Sequence, residues 1–490
     1  MHVLDYIFLA GYFLIVFLIG SFFSTSQRSL KDYFLGSRNI PWWAAAFSGI
    51  ATVVSAISYI GGVGLGFSSD FSFLQYRLGL PIALLVICVI ILPFFYNLQL
   101  YSIYEYLERR FNTAARLIAS GIFLVFKCCY LAIAIYAPAL IMEVVTGIDI
   151  IYIVLITGVA TTLYTLLGGI KSVIWTDTLQ LVIMLGGIFL VIGTVFFRVE
   201  GGLETVMTTG MEHGRFRYFN YSWSLTDTYT ILNGIIGGTF LMISQFGTDQ
   251  SELQRFLTTR SLKRSILALI SSMVVATVLG FLIFFEGISI FAFYEQTGNT
   301  DIPGNEVFVR FVMEELPAGL RGFLLAGLFA AAMSTISSVL NSLTTVSLSD
   351  FYQRFSGREA GVKTARVTTL VFGVVATLLA CLGGLFGNIL ETAMATINFF
   401  GGSLVGLFLL GMITRRATAR GALGGFFIGF LAVLTTAAFT QTAYMWYSAI
   451  AALVTFFTGY LISRLRPEPI SPAQEKLIYR PKAFLAVPEK

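Results

Sequence analysis

The chain has 490 residues, 57% of them hydrophobic and only 12% charged, with 46 phenylalanines and a mean hydropathy of +0.83. Soluble domains carry about a quarter of their residues as charged side chains, so a water-soluble enzyme is excluded and an all-α polytopic membrane protein is expected. The net charge of +5 comes from basic residues scattered through short loops, not gathered on one face, which speaks against a nucleic-acid partner.

Metal and nucleophile chemistry find little footing. His2 and His213 are far apart, and Cys88, Cys128, Cys129 and Cys381 all sit in apolar runs without metal-ligand spacing. No acid–base pair has the arrangement an enzyme requires. The first apolar run lacks a basic segment before it and reads as a retained helix, not a cleaved leader.

Apolar runs long enough for roughly 30 Å of hydrocarbon fall near 5–23, 41–67, 73–96, 114–146, 148–168, 176–198, 229–248, 262–291, 321–349, 364–385, 388–412, 420–440 and 442–463, thirteen spans in all. The positive-inside rule orients them. With the N-terminus outside, the cytoplasmic segments take Arg28, Lys31, Arg38, Arg109, Arg110, Arg116, Lys171, Arg255, Arg260, Lys263 and Arg264. They also take Arg354, Arg358, Lys363, Arg366, Arg415, Arg416, Arg420 and the basic residues of the tail, among them Arg480, Lys482 and Lys490. The other side keeps Arg77, Arg198, Arg215, Arg217, Arg310 and Arg321, and Lys127 falls mid-span. The expected protein lies in the cell membrane with its N-terminus outside and its C-terminus in the cytoplasm. Outer loops at 199–228 and 292–320 are long enough for short surface helices, whereas the tail 464–490 is too short for a second domain.

Transport needs polar groups and broken helices at membrane depth, both costly unless they line a cavity. The second span runs Ala51-Thr52-Val53-Val54-Ser55-Ala56-Ile57-Ser58-Tyr59 and then has glycines at 61, 62, 64 and 66. Five spans later its counterpart holds Asn233-Gly234, Gly237-Gly238 and Ser244-Gln245-Phe246-Gly247. Matched, glycine-interrupted helices opening two sets of five spans mark an inverted-repeat transporter, although single glycines can serve close packing alone. The ninth span is dense in hydroxyls, with Ser334, Ser337 and Ser338 on one face. Asp177, at the mouth of the sixth span, is the candidate carboxylate for a hard monovalent cation. Pairing with Lys171 is its alternative role.

Four segments carry a resemblance. Gly168-Gly169-Ile170-Lys171-Ser172-Val173-Ile174-Trp175-Thr176-Asp177-Thr178-Leu179-Gln180, the stretch 247–257 (GTDQSELQRFL), the small-residue run Ala330–Asp350 and Ile103–Phe111 (IYEYLERRF) resemble the solute:sodium symporter family. The resemblance implies a LeuT-type five-plus-five inverted repeat, 41–198 and 229–412, joined by the outer loop 199–228. One extra helix precedes it within 1–40, and two more follow within 413–463. It implies a primary sodium site on the carbonyls of Ala51, Val54 and Ala331 and the hydroxyls of Ser334 and Thr335. A second sodium site, known in some members, would use Asp177, Ser334, Ser337 and Ser338, giving two transported sodium ions.

The solute is read from Arg77 and Lys127, two cations placed where hydrocarbon should repel them. Asp70 pairing with Arg77 and snorkelling of Lys127 form one reading; an anionic solute supplying the charge is the other. By the resemblance, Arg77 stands where sugar carriers place a glutamate, against a galactose-like site. Tyr130 stands where sialic acid carriers place a carboxylate-binding arginine, with Lys127 one turn away. Ser55, Ser58, Tyr59 and Gln245 complete the expected solute contacts. The expected partner is a small carboxylate-bearing metabolite. A neutral sugar or polyol, and a transporter-like sensor, are the alternatives.

Overall fold

The computed structural model describes residues 1–24, 33–34, 36–98, 100–385 and 389–479. Arg28, Lys31, Arg480, Lys482 and Lys490, assigned above to the cytoplasmic side, lie outside the described residues. Among those described, every regular element is helical, apart from one isolated bridge between Ile40 and Thr259. The membrane helices are α1 (Val3–Ser24), α2 (Trp42–Val53), α3 (Ala56–Ser68), α4 (Phe71–Leu98), α5 (Thr113–Thr146), α6 (Ile150–Leu166), α7 (Gly169–Arg198) and α8 (Ile231–Gly247). They continue with α9 (Gln250–Phe256), α10 (Leu262–Thr297), α11 (Leu320–Val346), α12 (Val362–Ala380), α13 (Ile389–Ile413), α14 (Ala419–Phe439) and α15 (Tyr447–Leu465).

Ten helices are each long and apolar enough to cross a membrane, and the bent pairs α2–α3 and α8–α9 raise the number to as many as twelve. The expected count of thirteen also needs α6, which at 17 residues is shorter than the others. Both expected long outer loops carry a short helix, Gly202–Glu212 and Gly304–Glu315.

The interruptions have local causes. At the first, Val54 leaves helical geometry (φ −87°, ψ 77°) and Ser55 caps the next helix by accepting the Ser58 amide, so α2 and α3 bend by 59°. At the second, Asp249 caps α9 through the Ser251 amide, and the bend is 62°. A third break separates α6 from α7 at Gly169, whose φ of 54° and ψ of −163° suit a residue without Cβ. The helices layer around α11. Its most apolar stretch is 94% buried, against 17% for α1 at the lipid-facing edge. α11 packs on α7, α5, α2 and α3, which places its serines and threonines beside the first break.

Candidate cation and solute site

A helix break strips carbonyls of their partners, and the hydroxyls of α11 meet them here. Ser334 Oγ donates to the Ala51 carbonyl at 2.6 Å and lies 3.1 Å from the Ala331 carbonyl. Thr335 Oγ1 donates to the Thr52 carbonyl at 3.1 Å and lies 3.5 Å from that of Ala331. Four of the five residues expected at a primary sodium site, Ala51, Ala331, Ser334 and Thr335, therefore share one hydrogen-bonded cluster. Val54 stands at the adjacent break. The set is all oxygen and all buried, as a hard monovalent cation requires.

One turn along α11, Ser337 Oγ donates to the Ser334 carbonyl at 3.1 Å, and Ser338 Oγ is 3.2 Å from Thr52 Oγ1. Asp177 is completely buried. Its Oδ2 accepts from Ser48 Oγ at 2.6 Å and lies 3.4 Å from Arg255, while its Oδ1 has no hydrogen-bond partner. The expected alternative, pairing with Lys171, is replaced by Arg255. That arginine is also bonded to Ser48, Thr52 and the Ser251 carbonyl. Arg255, counted above among loop cations, is 1% exposed and belongs to this cluster. It reads as a loop cation because α9 is the short second half of a broken helix, and the apolar run ends at the break.

On the other side of the break lies a cavity bounded by Val54, Ser58, Phe73, Tyr76, Arg77, Tyr130, Gln245, Phe284 and Met394. Arg77 is buried, its Nε has no hydrogen-bond partner, and its guanidinium lies over the Tyr76 ring at 4.7 Å. Asp70 does not pair with it. That carboxylate caps the Ser72 amide and takes Arg217 at 2.9 Å. Lys127 does not snorkel either. Its Nζ meets Asp249 Oδ2 at 2.5 Å and lies over the Phe126 and Tyr130 rings, in a smaller chamber beyond Tyr130 and Gln245. Tyr59 is not brought to the cavity. Its hydroxyl donates to Glu286 at 3.0 Å and its ring packs on Phe308. Ser55 is set back as a helix cap, touching Ser58 at 3.5 Å. Ser58, Arg77, Tyr130 and Gln245 are thus the expected solute residues that line the cavity.

The family model described as the Sodium:solute symporter family matches residues 33–429. The chain belongs to that family. A sodium/sialic acid symporter of Proteus mirabilis is 32% identical over 94% of this chain and 95% of its own length. One from Aliivibrio fischeri is 33% identical over 94% and 92%. Human sodium-coupled monocarboxylate transporter 1 is 31% identical over 87% and 72%. A solved structure of a Na+-coupled sialic acid symporter in a substrate-bound, outward-open state superposes with a TM-score of 0.89, at 31% identity, covering 96% of this chain and 99% of that one. The transporter Mhp1 in a closed conformation, 14% identical with a TM-score of 0.58, covering 91% of this chain and 97% of its own, shares the fold alone.

This symporter is therefore a sodium-coupled membrane transporter and not an enzyme. Sequence reasoning passed over three residues of this buried polar region. Ser48 and Thr52 are ordinary in an apolar helix, and only the fold shows them facing Asp177 and Ser338. Asp249 was in view as part of the family motif, but its distance from Lys127 in sequence hid the pairing.

Proposed function

We propose that this symporter carries a small carboxylate-bearing solute inward with two sodium ions, and that Arg77 supplies the solute's counter-charge. The observation that carries the reading is Arg77 itself: a buried cation at the cavity wall with no carboxylate within 4 Å among the described residues. An unpaired buried ion costs several kcal/mol, and an anionic solute would relieve that cost on binding. Relatives that take sialic acid or monocarboxylates support the same solute charge.

The sodium sites follow the two oxygen clusters. Ala51, Val54, Ala331, Ser334 and Thr335 bind the first ion; Asp177, Ser334, Ser337 and Ser338 bind the second. With about 100 mV and a tenfold gradient, one inward sodium ion releases about 3.7 kcal/mol and two about 7.4 kcal/mol. The second ion raises the limit on accumulation of a neutral solute from about 500-fold to near 10⁵-fold. A monoanion returns about 2.3 kcal/mol of this. The reading keeps thirteen spans, inverted repeats at 41–198 and 229–412, an outer N-terminus and a cytoplasmic C-terminus, the last two on the distribution of Lys and Arg.

The test is a thermal-stability screen of the purified protein in sodium and in potassium, against sialic acid, short monocarboxylates and neutral sugars. A ligand of the folded state raises stability with the logarithm of its concentration over its Kd. Stabilisation by an acid, larger in sodium and lost in Arg77→Gln, is the expected result. Stabilisation by a neutral sugar, retained in Arg77→Gln, would replace this reading with that of a sugar symporter.

A further inference from the structure

Below Tyr130 and Gln245, on the far side from the solute cavity, lies a second chamber walled by Thr52, Thr335, Lys127, Asp249 and Glu252. Two of its residues, Thr52 and Thr335, also belong to the oxygen cluster at the first break, so the two share a wall. Asp249 is satisfied within it, by Lys127 on one oxygen and the Ser251 amide on the other.

Glu252 is not satisfied. It is 3% exposed, makes no hydrogen bond among the described residues, and has Oε2 buried without a partner. Its nearest cation is Arg255 Nε, at 3.9 Å. That guanidinium already donates to Ser251, Ser48 and Thr52 and lies 3.4 Å from Asp177. Lys127 is taken by Asp249 and Arg255 is shared with Asp177, so among the described residues Glu252 is left as an excess negative charge without a cation of its own. Low-dielectric surroundings make such an excess expensive, and a cation held by carboxylate, hydroxyl and carbonyl oxygens removes it. The same charge disfavours a carboxylate solute, so the chamber suits the ion and not its cargo.

We propose that this chamber is a cation-binding site of its own, with Glu252 as its anionic ligand. It receives sodium from the Thr335 cluster on the way to the cytoplasm. This rests on the sodium-coupled reading and on the orientation that puts α9 on the cytoplasmic side.

The experiment needs no solute. Sodium-evoked charge movement is recorded on solid-supported membranes from everted and right-side-out vesicles bearing the full chain. Glu252→Gln is expected to raise the half-saturating sodium concentration about tenfold in everted vesicles, and to leave it within about twofold in right-side-out vesicles. Glu252→Asp, which keeps the charge, is expected to recover most of the native value and guards against simple misfolding. An unchanged value in everted vesicles, or an equal shift from both faces, would overturn the site. A Glu252-dependent response to acid that sodium does not compete with would overturn sodium as its occupant. The absence of any sodium-evoked signal in the native chain would sink the sodium-coupled reading itself, and the site with it.

Discussion

Arg77 and Lys127 pose the same problem in the sequence and receive opposite answers in the fold. Both are cations in or beside membrane helices, and both end up buried. Lys127 meets a carboxylate at 2.5 Å, delivered by the break between α8 and α9. Arg77 meets an aromatic ring, and the acid nearest to it in sequence is taken by Arg217. The lesson concerns where partners come from. A helix break can project a side chain at a depth that no continuous helix offers, so the acid for a buried base need not lie in a neighbouring span.

The largest effect should come from splitting the satisfied pair. Removing one partner of a buried ion pair leaves the other uncompensated, at a cost of about 3–5 kcal/mol. Asp249→Asn is the cleanest variant, because asparagine still caps α9 while the charge is gone. A steep loss of folded protein and of melting temperature is expected for Asp249→Asn and for Lys127→Met. Combining them should recover most of the loss. If the double variant melts no higher than either single one, the two residues do not act as a pair.

Arg77 should behave in the opposite way. With no carboxylate partner to abandon, Arg77→Gln should leave the melting temperature of solute-free protein unchanged or slightly raised. Its uptake of an anionic solute should weaken about 10²-fold, close to 2.7 kcal/mol. A destabilised but fully active Arg77→Gln would reverse the comparison and make Arg77 the structural cation.

The cation cluster comes next in size. The Hill coefficient of a cooperative site cannot exceed the number of sites. Read in right-side-out vesicles, from which the Glu252 chamber is not loaded directly, Asp177→Ala should therefore lower the sodium Hill coefficient towards one if Asp177 holds a second ion. A coefficient that stays well above one in this variant would remove Asp177 from the sodium ligands.

Much of this arrangement was legible in the residues. Composition gave the membrane class, and apolar runs located nearly every helix. The glycine and hydroxyl interruptions pointed to both bent pairs, and the break at Gly169 fell between two predicted spans. The grouping of Ala51, Ala331, Ser334 and Thr335 followed from the resemblance. What the sequence concealed was direction. Tyr59 is adjacent to Ser58, yet one points to Glu286 and the other to the cavity, because successive residues of a helix differ by about 100°. Arg255 looked like a loop cation because its helix has only seven residues. Pairings such as Lys127–Asp249 and Asp177–Arg255 join residues more than seventy positions apart, and no local pattern encodes them.

The smallest effect should come from the solvent-exposed rim, where Asp70 pairs with Arg217 at 2.9 Å. The geometry is nearly as tight as that of Lys127 and Asp249, but the Arg217 side chain is 66% exposed and that of Lys127 only 7%. Water and salt screen the rim pair, so its contribution should be about 0.2–1 kcal/mol, and Asp70 keeps a second task in capping the Ser72 amide. Arg217→Ala should shift the melting temperature only slightly, and raised ionic strength should erase even that shift in the native chain. The Lys127 pair, shielded from solvent, should not respond to salt. A large, salt-insensitive loss in Arg217→Ala would mean that the loop carrying Arg217 clamps the broken helix as firmly as the buried pair does, and that burial is not what separates the two.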